Sequence, residues 1–143
     1  MKDKSGIRIL VVDDERDITY YSAKILRLSG FTVFEALDGS SALEIFHKEH
    51  PHICLIEPRF MEVRFTEKEP GKYWWIDGMD VIKEIRETDR DIVCIAITRM
   101  KNAETRLQAV GLGVNLYLLK PTGIWQEKVN AAAEMILAGN DKE

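Results

Sequence analysis

The feature that most constrains this chain is an alternation. Five short apolar runs, at residues 7–12, 31–36, 53–56, 92–97 and 116–119, take turns with stretches whose apolar residues return every three or four positions. The runs are rich in Ile and Val and too short for helices, so they read as buried strands. In the first helical stretch Ile18, Tyr21, Ile25 and Leu28 repeat, and Ser29-Gly30 ends it. In the second, Leu43, Ile45 and Phe46 supply the apolar face, Ser41 and Glu44 suit a capping box, and the helix stops before Pro51. Helices are expected next at 79–85, at 103–110 and at 124–137, the last with a core face of Trp125, Val129, Ala132, Ala133 and Ile136. Strands buried on both faces and separated by helices predict an α/β fold. It is an open, doubly wound five-stranded parallel sheet with helices on both faces. In such folds the working crevice lies at the carboxyl ends of the strands.

A length of 143 residues fits a single domain over 1–143. The net charge of −4 leaves no basic field for phosphate backbones, so nucleic acid is not an expected partner of this domain. No apolar run is long enough to cross a membrane. The N-terminus turns apolar only briefly before Asp13 and Asp14, which argues against a signal peptide. Cys54 and Cys94 sit inside apolar runs, the setting of reduced thiols and a cytoplasmic location. His47, His50 and His52 cluster near a helix end; a solvated terminus is favoured over a metal site.

One segment breaks the alternation. About twenty residues, roughly 58–77, separate the third strand from the next helix, too long for a structureless loop in a compact domain. Met61, Val63 and Phe65 alternate with polar residues, Pro70-Gly71 suits a type II turn, and Tyr73, Trp74, Trp75 and Ile76 are β-prone. A β-hairpin over 61–76 is expected, projecting beside the crevice. Adjacent tryptophans in a strand face opposite sides, so one is expected to meet the domain and the other a partner or a second copy.

The strand ends carry the chemistry. Asp13 and Asp14 follow the first strand, Glu57 the third, Thr98 the fourth and Lys120 the fifth. Carboxylates gathered at one crevice repel one another unless a hard divalent cation or basic side chains compensate. A hydroxyl and an ammonium at the rim suit the non-bridging oxygens of a phosphoryl group.

These residues, in the runs ILVVDDE, DGSSAL, IDGMDVIKEIRE and LYLLKP, resemble the receiver domain of two-component response regulators over about residues 7–138. The resemblance implies a CheY-like, flavodoxin-like fold with strand order 2-1-3-4-5. It implies a signalling module rather than an enzyme, acting with Mg²⁺, a histidine kinase and a downstream effector. Asp13 and Asp14 match the metal-binding pair, with Glu57 as third ligand. Glu57, Thr98 and Lys120 match the phosphoacceptor position, the phosphoryl-contacting hydroxyl and the family lysine. Thr98 and Tyr117 match the switch residues, and the Lys120-Pro121 bond is expected cis. The signal would leave through the face of the fourth helix, fifth strand and fifth helix, which is also a candidate homodimer face, as is the insertion.

The match departs at the acceptor, where Glu57 stands in place of aspartate. Its carboxylate lies one methylene further into the pocket, and misplacing a nucleophile by about an ångström can cost roughly a hundredfold in rate. Arg59 and Arg99 also depart from the pattern. With Lys120 they could neutralise Asp13, Asp14 and Glu57; for Arg99 an outward, solvated position is the equal alternative. The expected function is an atypical, phosphorylation-independent receiver with weak or absent Mg²⁺ binding, working by protein–protein contact. The alternatives are a conventional Mg²⁺-dependent receiver and a small flavodoxin-like ligand-binding domain.

Overall fold

The computed structural model describes residues 3–60, 66–69, 72–74 and 76–141. The strands are β1 (Arg8–Val12), β2 (Thr32–Ala36), β3 (Ile53–Ile56), β4 (Thr66–Glu69), β5 (Lys72–Trp74), β6 (Val93–Thr98) and β7 (Leu116–Leu119). The helices are α1 (Arg16–Leu28), α2 (Gly39–Glu49), α3 (Gly78–Thr88), α4 (Ala103–Gly111) and α5 (Trp125–Asp141). The main sheet is parallel, in the order β2-β1-β3-β6-β7. This is the expected 2-1-3-4-5 order, because β4 and β5 pair only with each other.

Strand parity divides the core into two layers. Leu10, Cys54 and Cys94 lie in register across β1, β3 and β6 and face α2 and α3, where Phe46, Met79, Ile82 and Ile85 close the layer. Val11, Leu55 and Ile95 lie in the next register and face α1 and α5, against Leu26, Val129 and Ala133. Both faces of the central strands are therefore apolar, and polar groups are pushed to the strand ends.

The helices start where short side chains can cap them. Asp38 accepts from the Ser41 N–H, and Asp77 and Asp80 form a reciprocal capping box at α3. The expected Ser41–Glu44 box at α2 is thus replaced by an Asp38 cap. Two glycines sit where helix starts approach other chain segments. A Cβ on Gly78 would stand 1.9 Å from the Glu57 carbonyl oxygen, and one on Gly39 would stand 2.2 Å from Ile76 Cγ2.

The first helix differs from expectation in its inward face. Thr19, Ala23 and Leu26 are buried, whereas Tyr21 and Leu28 are exposed by 59% and 80%. The face of α5 matches the expected stripe, with Val129 and Ala133 fully buried. Within the insertion, β4 and β5 are antiparallel, with Thr66 opposite Trp74. The Pro70-Gly71 turn, residues 61–65 and Trp75 lie outside the described residues. Among the described residues no helix is long and apolar enough to cross a membrane.

Candidate functional site at the strand ends

Asp13, Glu57, Thr98 and Lys120 meet at the carboxyl edge of β1, β3, β6 and β7. Asp13, Glu57 and Thr98 are all buried. Lys120 Nζ donates to Asp13 Oδ2 at 2.6 Å and lies 3.3 Å from Glu57 Oε2. Thr98 Oγ1 donates to Glu57 Oε1 at 2.6 Å, and the Arg59 backbone N–H donates to the same oxygen at 3.3 Å. The Glu15 backbone N–H donates to Asp13 Oδ1 at 2.9 Å. Both oxygens of Asp13 are thus engaged, and so is one of Glu57. The contact between Lys120 and Glu57 Oε2 is an ion pair without hydrogen-bond geometry, so that buried oxygen accepts no hydrogen bond.

Burial sets the electrostatics. It pushes the Glu57 carboxyl above its ordinary range, against the opposing pull of the Thr98 hydrogen bond and the Lys120 charge. Burial also raises Asp13, against the hydrogen bond from Lys120. At Lys120 burial opposes the charge, but the Asp13 hydrogen bond and the charges of Asp13 and Glu57 prevail and raise its pKa.

The arginines take different partners from those expected. Arg59 Nη1 pairs with Asp77 Oδ2 at 2.9 Å, and its other nitrogen donates to Gln108. Arg99 Nη1 pairs with Glu15 Oε1 at 2.9 Å. Neither guanidinium bonds to Asp13 or Glu57, where Lys120 supplies the positive charge instead. A guanidinium more readily takes an acid that costs less desolvation to reach, and Asp77 and Glu15 are partly exposed whereas Asp13 and Glu57 are buried. The Tyr117 hydroxyl donates to the Met100 carbonyl at 2.8 Å, which ties β7 to the loop before α4. The Lys120-Pro121 bond is cis. Asp14 follows Asp13 at the end of β1. The histidines serve the other edge: His52 Nδ1 accepts from the Arg8 N–H, and His47 pairs with Glu84.

Sequence reasoning missed the Arg59 amide and the close seat of Gly78 against Glu57. The glycine following Asp77 was the available signal for the second; a backbone amide leaves none.

The profile of the response regulator receiver domain matches residues 9–132. The chain belongs to the response regulator receiver domain family. It is similar to a probable transcriptional regulator, ycf27, of Galdieria sulphuraria, with 33% identity over 80% of this chain and 39% of that protein. This receiver therefore spans about two fifths of that relative's length. Its fold resembles that of a CheY-like receiver protein from Methanospirillum hungatei, with a TM-score of 0.74, 19% identity, and 90% and 94% of the two chains covered. It also resembles the response regulator TrrA of Thermotoga maritima, crystallised with Mg²⁺ and BeF, with a TM-score of 0.69, 26% identity, and 88% and 98% covered.

The family link raises the question of Mg²⁺. An acidic oxygen set suits a hard cation in kind. In this structure both Asp13 oxygens also accept a hydrogen bond, from Lys120 and from the Glu15 amide. Among the described residues no three His, Cys, Asp or Glu side chains are grouped to hold a metal ion.

Proposed function

We propose that this receiver signals without phosphoryl transfer, by protein–protein contact, with Mg²⁺ bound weakly or not at all. The observation that supports this reading is the 2.6 Å hydrogen bond from Thr98 to Glu57. The longer side chain puts its own carboxylate on the hydroxyl that a phosphoryl oxygen would need, so the acceptor position holds an internal, incomplete imitation of the modified group. One carboxylate charge is less than the roughly −1.5 to −2 of a phosphoryl group. The exposed apolar residues Leu107 and Val110 of α4 and Leu119 of β7 fit an output face for an effector or a second copy. The insertion offers a second contact element, specific to this chain. A histidine kinase remains the partner under the alternative, a conventional phosphorylated receiver, which the retained Asp13–Lys120 pair favours.

Incubation with acetyl phosphate and Mg²⁺ followed by intact-mass analysis separates the two. The natural chain is expected to gain no phosphoryl group, and the Glu57→Asp variant is expected to gain one. A stable gain mapping to Glu57 in the natural chain overturns the proposal.

A further inference from the structure

Protein interiors are close-packed, with few voids larger than a water molecule. One end of the main sheet departs from this. Ile97 of β6 points to the same face as the wholly buried Ile95, yet it is only half-buried. A chamber of about 360 Å³ lies over it, on the side of the sheet that α1 and α5 cover. Val11, Leu55 and Ile97 line it from three neighbouring strands. Ile18 and Ser22 line it from α1, and Trp125 from the start of α5. Ile18 and Ser22 stand one turn apart on the same face of α1, and the small serine leaves space that a larger side chain would fill. The volume falls in the range of small-molecule sites, about 300–1,000 Å³.

The charged residues along the chamber, Asp13, Glu57, Arg99 and Lys120, already have partners within the protein. Lys120 is held by Asp13 at 2.6 Å and faces Glu57 at 3.3 Å, and Arg99 is held by Glu15 at 2.9 Å. A cationic ligand would compete with Lys120 for the two carboxylates. An anionic one would have to draw Lys120 or Arg99 from its acid, beside the buried Asp13 and Glu57. Either would also shed its hydration, a cost that only a new and well-formed pair can offset. What the chamber leaves without a match is apolar surface and the side of Trp125, which favour a neutral aromatic body by burial and ring contact.

We propose that the chamber binds a small neutral molecule with a body of about two fused aromatic rings, lying on Val11, Leu55 and Ile97 between Ile18 and Trp125. Binding needs no bond to Asp13 or Glu57, and it is independent of whether Glu57 accepts a phosphoryl group. Pro121 and Thr122, from the loop between β7 and α5, line the same chamber. An occupant therefore touches α1, the sheet and the lead into α5 together. The consequence is a receiver with an input for a small molecule on the α1–α5 side of its sheet.

The test titrates the full chain at neutral pH with naphthol, naphthoate and naphthylmethylamine, which share a bicyclic body and are neutral, anionic and cationic. Methyl and indole NMR signals report the site. Naphthol is expected to give saturable shifts at Val11, Ile18, Leu55, Ile97 and Trp125 and to bind about tenfold or more tightly than either charged analogue. Ser22→Phe, which fills the chamber, is expected to weaken naphthol binding about tenfold or more while leaving the circular dichroism spectrum unchanged; Ile18→Trp serves the same purpose if the first variant fails to fold. A charged analogue that binds as tightly as naphthol, shifts confined to Trp74 and Trp75 or to other residues away from the chamber, unchanged affinity in a folded filling variant, or no saturable binding of naphthol overturns the proposal.

Discussion

A glutamate carries its carboxylate one methylene further from the backbone than an aspartate does. At position 57 that extra reach spans the crevice and brings Oε1 to the Thr98 hydroxyl, with Lys120 beside Oε2. Burial then works against the charge, since Glu57 and Asp13 both have raised pKa values in the folded chain. The sign follows from proton counting. The folded state holds these protons at a pH where the unfolded chain has released them. The two acids therefore weaken the fold above their folded pKa values, and that penalty fades as pH falls toward the ordinary carboxylate range. Lys120 acts in the other sense: its contribution is full below the ordinary lysine pKa and is lost as pH rises through its raised value. Glu57→Gln keeps the shape, removes one buried charge and leaves Lys120 its Asp13 partner. It is expected to stabilise the fold at neutral pH by about 1 kcal/mol. Urea unfolding of both proteins from pH 7 downward checks this, and the difference should shrink toward about pH 4. A variant less stable than the natural chain at pH 7 would show that the Thr98 and Lys120 contacts outweigh desolvation.

Helix α3 ties the insertion to the site. Its first residue, Gly78, lies against the Glu57 carbonyl, and the Met79 N–H donates to the Pro58 carbonyl at 3.0 Å. A methyl group at 78 collides with backbone, which cannot rotate away as a side chain can. Gly78→Ala is expected to cost about 2 kcal/mol and to shift the Thr98 and Lys120 NMR signals through Glu57; unchanged signals would separate α3 from the site. Ile76 is half-buried and packs on the α2–α3 core beside Gly39. Replacing 61–75 with a short loop while keeping Ile76 is expected to leave the unfolding midpoint nearly unchanged and to weaken self-association in analytical ultracentrifugation. Loss of the folded core would make the segment structural. The α1 helix shows where periodicity stops being informative. Tyr21, Ile25 and Leu28 have the right spacing, yet the helix meets the sheet through Thr19, Ala23 and Leu26. Spacing identifies an apolar stripe but not its direction, and small residues mark close approach to a sheet better than large ones do. The central strands β1, β3 and β6 were legible because burial on both faces leaves them almost no polar positions. Asp13, Glu57, Thr98 and Lys120 were legible because parallel strands deliver their ends to one edge. The partners of Arg59 and Arg99 were not, since Asp77, Gln108 and Glu15 come from loops and helices whose relative placement no local pattern encodes.

Across the whole molecule, the two layers are joined through the central strands. Cys54 of β3 and Cys94 of β6 are opposite one another in register and wholly buried under α2 and α3. Burial raises both thiols, Cys54 well above its ordinary value and Cys94 to about 11. Attack on a disulfide reagent requires thiolate and access, and neither is present in the folded state. Exposing either sulfur means lifting a helix from the middle of the sheet, and that movement strips Phe46, Ile82 and Ile85 of their contacts. Each such side chain contributes about 1.5–3 kcal/mol of burial, so local opening there costs a large part of a typical domain's total stability. Labelling of the two cysteines is therefore expected to be governed by global unfolding. Both should stay silent to Ellman's reagent in native buffer and react together as urea is added. The free energy of opening from their labelling rates should match that from circular dichroism. A cysteine reacting quickly in native buffer, or the two reacting with different urea dependences, would mean that the α2–α3 layer opens independently of the rest.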